Sequence, residues 1–431
     1  MKLGFWLKVR PLVGRLPSIM RSSLGLRLAL VICSFARSAC GGDWPQFLGP
    51  ERNGSCSGAE LNASWPKEGP AVVWKTKVGE GFGGPVIATN RLVIFERSGD
   101  KEILEALDAQ SGKRLWSFDY PCHYTDDFGR GNGPRATPAI KDGKVFTFGA
   151  EGTLHCLDFS NGKKIWAVDT QKQFAPAKGF FGVACSPLVE GDKVLMNIGG
   201  RNGAGIVAFS AKDGHVVWKA TDDEASYSSP TVANIRDKRY ALFLTRNFLI
   251  GLDPEKGNVF FQFPWQPAIH ASVSAATPLV IDDMVFISAS YGAGAALLRI
   301  GEKAPEKIWS GDDILSNHYA TSVHHQGYLY GFDGRQEQGC NLRCVELKTG
   351  KIRWSEDHFG AGTIMLANGQ LLILTEKGEL ICAPATAEGF KPKARAQILP
   401  FNVRAYPAIA DRFLYARGPD TLVCVDLRKR P

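Results

Sequence analysis

The chain has 431 residues, 44% of them hydrophobic and 22% charged, so it can bury a large core and is too balanced in composition to be disordered. Its formal net charge is +8, but seven of the 51 basic residues and none of the 43 acidic ones lie within residues 1–39. The remainder is close to neutral, with 44 basic against 43 acidic residues. This charge gives no support to a nucleic-acid partner.

Residues 1–39 are predicted to be a signal peptide. Basic residues precede an apolar run, Leu28–Ala36, and small residues follow it at Ser38–Ala39, which is the order found in cleaved export signals. The run has about nine residues, well short of the roughly 20 that a membrane-spanning helix requires. We therefore expect an exported protein of the periplasm or cell envelope, with no transmembrane span.

Two details of this leader stay open. Translation from Met20 instead of Met1 would give an ordinary short basic region before the apolar run. Cys40 follows the small residues as in a lipoprotein cleavage site, so a lipid anchor is an alternative. Arg37 stands where such a site has an aliphatic residue, and plain cleavage is therefore favoured.

The body of the chain begins with residues 40–68, predicted to be a loop segment packed on the domain that follows. Its core, Asp43–Gly54, is rich in Pro, Gly and aromatic residues. Residues 69–431 then read as short strands separated by turns, starting with a strand around Trp74. Most units open with a small residue before a proline, as in Gly84–Pro85 and Thr137–Pro138.

An eleven-residue frame organises these strands, first seen as ALDAQSGKRLW at Ala106–Trp116. Its glycine lies in a tight turn that requires positive φ, and the preceding acid can accept turn N–H groups. Its last residue is a large aromatic that can cover a neighbouring unit. The aromatic residues assigned to this structural role are Trp74, Trp116, Trp166, Trp218, Phe261, Trp309 and Trp354.

The frame starts eight times, at residues 106, 156, 208, 251, 299, 344, 382 and 424. Each step has room for four strands, which predicts an all-β fold, an eight-bladed β-propeller with four-stranded antiparallel blades. The last frame ends before a fourth strand, and the strand at Trp74 has no third strand before it. The ring is therefore predicted to close by pairing this N-terminal strand with the C-terminal strands.

The cysteines divide into two groups. The first position of the frame holds Cys156, Cys344, Cys382 and Cys424. Recurrence at one strand position predicts small buried residues rather than disulfides. The remaining cysteines of the exported part are free to pair in an oxidising compartment, and sequence leaves their partners open. These are Cys40, Cys56, Cys122, Cys185 and Cys340.

The frame A-x-D-x-x-[ST]-G-x-x-x-W and the lead-in DWPQFLGPERNG resemble the PQQ-like (quinoprotein-type, BamB-like) β-propeller repeat family over roughly residues 43–431. That superfamily contains alcohol dehydrogenases that use pyrroloquinoline quinone (PQQ) and the assembly lipoprotein BamB. The dehydrogenases typically carry an adjacent Cys-Cys pair, and the haem-bearing members add a C-x-x-C-H site. Neither motif occurs here, and no local motif matches the calcium site or the catalytic Asp.

Four polar residues are candidates for ligand binding: Arg135, His270, His318 and Arg404. Each precedes the first strand of a different blade, so we expect them to meet at one mouth of the ring. Arginine favours carboxylates and histidine can titrate or ligate, which suits an anion or a planar ligand. The alternative is a set of polar loop tips without a ligand. No metal site is predicted, and catalytic residues stay unassigned.

These observations favour a binding or interaction scaffold in the cell envelope, with an envelope protein or a small ligand held at one face of the ring. The alternative is a periplasmic PQQ-dependent quinoprotein oxidoreductase of the alcohol dehydrogenase kind. Whether the protein is an enzyme is left undecided, since one fold hosts many functions. No cofactor is predicted under the scaffold reading, and PQQ with calcium belongs only to the alternative.

Overall fold

The computed structural model describes residues 42–58, 60–269, 272–302 and 304–428. The predicted signal peptide, Cys40 and the candidate ligand-binding residue His270 lie outside these ranges. Within them, strands make up almost all regular structure, beside one α-helix, Thr170–Phe174, and one 3₁₀ helix, Gln336–Gln338. None of the helices found in the described ranges is long and apolar enough to cross a membrane.

Eight antiparallel sheets follow one another along the chain, and their first strands contact each other around a central axis. This is the predicted eight-bladed propeller. The strands of blades 1 to 4 are Val86–Ala88, Arg91–Ser98, Lys101–Asp108 and Arg114–Pro121; Ala139–Lys141, Lys144–Phe148, Thr153–Asp158 and Lys164–Asp169; Leu188–Glu190, Lys193–Asn197, Ile206–Ser210 and Val216–Ala220; Thr231–Ile235, Lys238–Leu244, Phe248–Leu252 and Val259–Pro264. The strands of blades 5 to 7 are Leu279–Ile281, Met284–Ala289, Gly294–Ile300 and Pro305–Gly311; Val323–His325, Tyr328–Asp333, Asn341–Glu346 and Ile352–Glu356; Gly362–Ala367, Gln370–Thr375, Glu379–Pro384 and Ala394–Gln397.

Blade 8 joins the two ends of the chain. Its strands are Ala408–Ala410, Phe413–Arg417 and Thr421–Asp426, with Ala71–Lys77 as the outer strand. Trp74 lies opposite Cys424 in this pairing. The predicted closure is therefore confirmed, and it removes an unpaired strand edge that would otherwise invite association.

Neighbouring blades are joined by the aromatic residue and the glycine of the frame. The indole N–H of Trp116 donates to the carbonyl of Phe159 in blade 2 (3.0 Å). Gly162 of the same turn has φ 73°, and a Cβ there would lie 2.6 Å from the Trp116 ring. Glycine is thus required twice, by its backbone angle and by the ring above it. The equivalent pairs are Trp74 with Gly112, Trp166 with Gly214, Trp218 with Gly257, and Trp309 with Gly350.

The predicted frame is wrong in blade 5. Trp309 pairs with Leu297, which is fully buried, and not with Arg299, which is exposed and faces Glu306. The turn of this blade is two residues longer than in the blades that keep the glycine of the frame, so counting back from the tryptophan shifts the frame. Leu297 therefore occupies the buried position that Ala106 holds in blade 1.

A belt of hydroxyl groups lines the centre of the ring and explains the small residues before the prolines. At four links the backbone N–H of one such residue donates to the side chain of its counterpart in the next blade. The bonds, 2.9–3.0 Å long, join Gly84 to Thr137, Thr137 to Ser186, Ser186 to Ser229, and Thr277 to Thr321. Blade 7 has no such residue, and the N–H of Thr321 donates across it to the Tyr406 hydroxyl (2.5 Å).

The segment that precedes the outer strand of blade 8 enters the central channel. It enters from the face opposite the loops that lead into the first strands. Trp44 forms a bridge with Ile87, and Ser55–Cys56 pairs in parallel with the first strand of blade 7. The buried Arg52 side chain donates to the carbonyl of Pro187 in blade 3 (3.0 Å). These contacts with blades 1, 3 and 7 fix the segment as a plug inside the ring.

The described cysteines separate as the frame predicts. Seven are free and buried: Cys122, Cys156, Cys185, Cys340, Cys344, Cys382 and Cys424. The four frame cysteines among them lie within strands, as predicted. Cys122, Cys185 and Cys340 do not form the disulfides that the sequence left open, whereas Cys56 is disulfide-bonded.

Candidate functional site

A cavity of about 240 Å³ opens at one mouth of the ring, above the plug. Its walls come from loops that enter the first strands and from loops between the second and third strands. Both kinds of loop lie on one face because the strands of a blade alternate in direction. The wall is largely aromatic: Phe47, Phe82, Phe181, Tyr227, Tyr291, Tyr319 and Tyr406.

Phe47 of the plug forms the floor of this cavity. Its ring meets that of Tyr406 edge to face, with centroids 5.3 Å apart and planes at 86°. Edge-to-face contact is a favourable geometry for aromatic rings. The plug therefore makes the cavity one-ended, so a ligand would enter only from the mouth.

Arg135 occupies one side of the cavity within a box of aromatic rings. Its guanidinium carbon lies 5.2 Å from the centroid of Phe82 and 5.5 Å from that of Phe181. One Nη pairs with the fully buried carboxylate of Asp126 (3.3 Å), while the other is buried without a partner in the described structure. Burial lowers the pKa of Arg135. This free N–H group can donate a hydrogen bond to one oxygen of an anionic or neutral ligand.

Arg404, in the loop that enters blade 8, is held by Glu376 of blade 7. Its Nε lies 3.0 Å from Glu376 Oε1, and the Tyr319 hydroxyl donates to the same oxygen (3.1 Å). With its amide oriented to satisfy both groups, Gln336 donates to Glu376 Oε1 and accepts from the Arg404 guanidinium (2.9 and 3.2 Å). Burial and the nearby Glu376 carboxylate raise the pKa of Tyr319 well above its usual range. The group is a connected polar network.

His318 lies on the cavity wall, in the loop that enters blade 6. Its Nε2 is 3.0 Å from the Tyr291 hydroxyl, and Nδ1 is buried without a partner in the described ranges. Burial lowers the pKa of His318 to about 4, with Glu337 opposing the shift. The ring is therefore neutral at pH 7 and offers one donor and one acceptor.

The structure brings three of the four sequence candidates, Arg135, His318 and Arg404, to this one cavity. His270 lies outside the described residues. Ligand binding by any of them stays a prediction. No group of three or more His, Cys, Asp and Glu side chains in the described ranges is arranged to hold a metal ion.

Sequence reasoning missed several residues of the cavity. Tyr291 and the pair Gln336–Glu337 belong to loops between second and third strands, and Phe47 comes from the plug. The first group had a usable signal, since in an antiparallel blade those loops share a face with the loops that enter the first strand. Phe47 had none, because its place depends on the plug entering the channel.

Comparison with known proteins relates the chain to two groups. It is 21% identical over 281 residues to the outer membrane protein assembly factor BamB of Moranella endobia, a match that spans 62% of this chain and 68% of that protein. The crystal structure of BamB from Moraxella catarrhalis superposes with a TM-score of 0.61 at 15% identity, covering 84% of this chain and 98% of the other.

The second group consists of quinone-dependent enzymes. The quinohemoprotein alcohol dehydrogenase of Comamonas testosteroni superposes with a TM-score of 0.65 at 14% identity, covering 92% of this chain and 82% of the other. Among the curated alcohol dehydrogenases that it matches in sequence, the chain spans only 16% to 28% of their length. At these identities the superpositions show the fold alone.

A family model gives the wider assignment. The model described as outer membrane protein assembly factor BamB matches residues 100–356, which is more than half of the chain. The matched region runs from blade 1 through blade 6 and includes five of the aromatic–glycine contacts between blades in whole or in part. The protein therefore belongs to the BamB family of PQQ-like β-propellers.

Proposed function

We propose that the protein is an exported interaction scaffold of the cell envelope that binds a protein partner at the mouth face of its ring. Membership of the BamB family is the observation that carries this proposal. The leader, with its basic residues and short apolar run, supports export. The alternative within this proposal is that the exported protein carries a lipid anchor at Cys40.

The surface of the mouth supports this choice of face. Three of the most exposed large apolar side chains lie in loops that enter first strands: Phe401 (67% exposed), Phe128 (54%) and Ile269 (52%). Exposed apolar side chains grouped on one face are typical of surfaces that bind other proteins. Phe128 also contacts Phe181 of the cavity wall (centroids 5.3 Å apart), so a partner there would cover the cavity.

Site-specific photo-cross-linking in intact cells tests the proposed face. A cross-linking side chain is introduced at Phe401 on the mouth and, as a matched control, at Leu115 on the rim, which is 48% exposed. We expect one defined envelope protein to be captured from position 401 and not from position 115. Capture of the same protein from both positions would contradict the choice of face, and a cytoplasmic location would contradict export.

A quinoprotein oxidoreductase is the second candidate, favoured by the matches to alcohol dehydrogenases. Pyrroloquinoline quinone is a planar carboxylate, and the aromatic walls with Arg135 and Arg404 suit such a group. Its metal fits less well, because no cluster of three or more ligating side chains lies in the described ranges. The Cys-Cys pair of the dehydrogenases is also absent from the sequence.

Adding the quinone and calcium to the purified protein separates the two candidates. The scaffold proposal predicts no dye-linked oxidation of alcohols, with or without bound quinone. Turnover that is lost in an Arg135→Met variant would overturn it in favour of the enzyme. Quinone binding without turnover would leave the cavity as a ligand site of a scaffold.

A further inference from the structure

Four consecutive blades carry an exposed aliphatic residue at the same place in their outer strands. In blades 8, 1, 2 and 3 the residue immediately before the rim tryptophan is aliphatic and 41% to 48% exposed: Val73, Leu115, Ile165 and Val217. The strand pairing skips each of these residues, which makes it the extra residue of a β-bulge. We call these four residues the aliphatic rim.

The other half of the ring does not share this feature. In blade 4 the bulge residue is Phe260, and the Lys238 ammonium group covers its ring at 3.3 Å from the centroid. In blade 5 it is Ile308, which is half-buried, and in blade 6 it is Arg353. The outer strand of blade 7, Ala394–Gln397, pairs without a bulge. The bulge itself therefore does not require an exposed aliphatic side chain, and such side chains are confined to one contiguous half of the ring.

Lysine side chains lie between the members of the aliphatic rim. The turn that packs on Trp74 continues into Lys113, and the turn that packs on Trp116 continues into Lys163 and Lys164. Because each turn lies beside the tryptophan of the preceding blade, aliphatic side chains and cations alternate around this part of the ring. All three lysines are exposed, and their ammonium groups have no hydrogen-bond or ion-pair partner among the described residues.

The nearby acidic side chains are engaged by other groups. In the outer strands, Asp119 pairs with Lys101 of the neighbouring strand (2.7 Å), and Asp169 is the N-cap of the short α-helix. In the two turns, Asp108 and Asp158 each accept the backbone N–H and the hydroxyl of a serine in the same turn. The unpaired charges beside the aliphatic rim are therefore positive.

The shape of this surface argues against a protein partner. A bulge interrupts the hydrogen-bond ladder of its strand, so another strand cannot add to this edge in register. The core of a protein interface is contiguous and depleted of charged residues, whereas each aliphatic side chain here stands alone between cations on a convex surface. On an anionic membrane such an arrangement is favourable, because apolar side chains enter the headgroup boundary while lysines stay with the phosphates.

We propose that the aliphatic rim and its lysines dock the ring edge-on to an anionic phospholipid surface. Leu115 and Ile165 lie in the two middle blades of the four, so they make the deepest contact. In this orientation the mouth of the ring opens parallel to the membrane and stays accessible to a protein partner. Docking goes beyond the proposed function and does not depend on it.

A local fluorescence measurement with the full-length protein tests the docking surface. An environment-sensitive fluorescent amino acid is introduced at Leu115 or, as a matched control, at Val259 in the outer strand of blade 4, which is 39% exposed. With vesicles of equal parts phosphatidylglycerol and phosphatidylcholine, we expect the emission at position 115 to rise and shift to the blue. Phosphatidylcholine alone should leave it unchanged, and position 259 should not respond to either vesicle.

This readout is local, so binding by another part of the chain, including residues 1–39, does not imitate it. An equal response at positions 115 and 259, or no response at 115, would overturn the proposal. An equal response to charged and neutral vesicles would contradict the role of the lysines.

A charge variant sharpens the test, with the emission at position 115 followed over a vesicle titration. Lys163→Gln combined with Lys164→Gln should weaken binding at least about tenfold, since each cation near an anionic surface contributes about fivefold. Lys256→Gln combined with Lys307→Gln removes the same charge from blades 4 and 5 and should weaken it less than about twofold. Equal weakening by both pairs would show attraction to the whole protein and overturn the assignment. All four lysines are exposed, so every variant should keep the wild-type melting temperature.

An acidic protein surface is the competing occupant. A photo-cross-linking side chain at position 115 in intact cells distinguishes it from a membrane, because a lipid contact captures no protein. We expect no defined protein from this position. Capture of one, together with an unresponsive fluorophore at position 115 in vesicles, would overturn the lipid assignment in favour of a protein partner.

Discussion

Around the rim of the ring one contact is repeated from blade to blade, whereas around the central cavity each blade contributes a different side chain. Six indole N–H groups donate to carbonyls of the following blade. The cavity instead has Arg135 from one loop, Tyr227 from the next, and His318 and Arg404 further on. The rim contacts determine how the blades pack. The side chains at the cavity are not needed for that packing and can differ from blade to blade.

The exceptions on the rim show that its two residues are not strictly coupled. Phe261 replaces the tryptophan in blade 4, and the turn it faces in blade 5 lacks the glycine of the frame. Trp354 in blade 6 keeps its indole and donates to the carbonyl of Thr386 in blade 7 (2.8 Å), although a Cβ at Gly389 of that turn would meet nothing within 4 Å. The indole can therefore bond to the next turn without a glycine beneath its ring.

The largest expected effect comes from removing a rim indole. Trp116→Ala should lower the free energy of unfolding by about 3–5 kcal/mol, because it opens a cavity between blades and removes one of the two hydrogen bonds that the carbonyl of Phe159 accepts, leaving the one from Arg91 (2.9 Å). Urea denaturation followed by fluorescence measures this loss. The neighbouring Leu115→Ala, at a side chain 48% exposed, should change stability by less than about 0.5 kcal/mol. Similar losses for both variants would contradict the rim contact as the source.

A smaller effect separates the two requirements for glycine. Gly162 and Gly143 have nearly the same φ, 73° and 71°, but a Cβ at Gly143 would meet nothing within 4 Å. Gly143→Ala should therefore cost about 1 kcal/mol for the backbone angle alone. Gly162→Ala should cost roughly 2–3 kcal/mol more, because its Cβ collides with the Trp116 ring. Equal losses in the free energy of unfolding, measured by the same denaturation experiment, would show that the Trp116 ring does not require a glycine at position 162.

Repetition explains why so much of the fold can be predicted from the sequence. The frame recurs because each blade must meet its neighbour in the same way, and the half-frames at Trp74 and Cys424 predict the closure. Its one error, at Arg299, arose because the frame was counted at fixed length while the turn of blade 5 is longer. Turn length is not constrained by the rim contact, so counting cannot detect it.

Only some of the cavity residues could be predicted from the sequence. Arg135, His318 and Arg404 were found because entry into a first strand places a residue at the mouth. Glu376, which holds Arg404, was missed because it follows a second strand of blade 7 and meets the arginine only in space.

Tyr406 lies where the two regions meet, and its loss should have an intermediate effect. Tyr406→Phe keeps the ring against Phe47 but removes the acceptor of the buried Thr321 N–H (2.5 Å). We expect a loss of about 1–2 kcal/mol in the free energy of unfolding. The half-buried Tyr328→Phe serves as the control and should cost less than about 0.5 kcal/mol. Equal losses in the free energy of unfolding for the two variants would mean that the bond from Thr321 to the Tyr406 hydroxyl, which spans blade 7, does not stabilise the ring.

The smallest effect at neutral pH is expected at His318, because a cavity residue is not needed to pack the ring. His318→Gln can keep a contact with Tyr291, and its stability at pH 7.5 should lie within about 1 kcal/mol of the wild type. The difference appears on acidification. The pKa of His318 is lowered by burial to about 4, below its ordinary 6.5, so the unfolded chain takes up the proton first. Stability therefore falls as the pH drops from 6.5 towards 4.

The His318→Gln variant lacks this component, so its melting temperature should fall less steeply than that of the wild type over the same pH range. His123→Gln, at an exposed loop position, provides the control and should follow the wild-type curve. A variant curve parallel to the wild type would show that the histidine is already solvated in the folded protein. A shallower curve would show that the cavity keeps a buried neutral imidazole, which lowers the stability of the protein in acid. The rim contact between tryptophan and glycine contains no such titrating group.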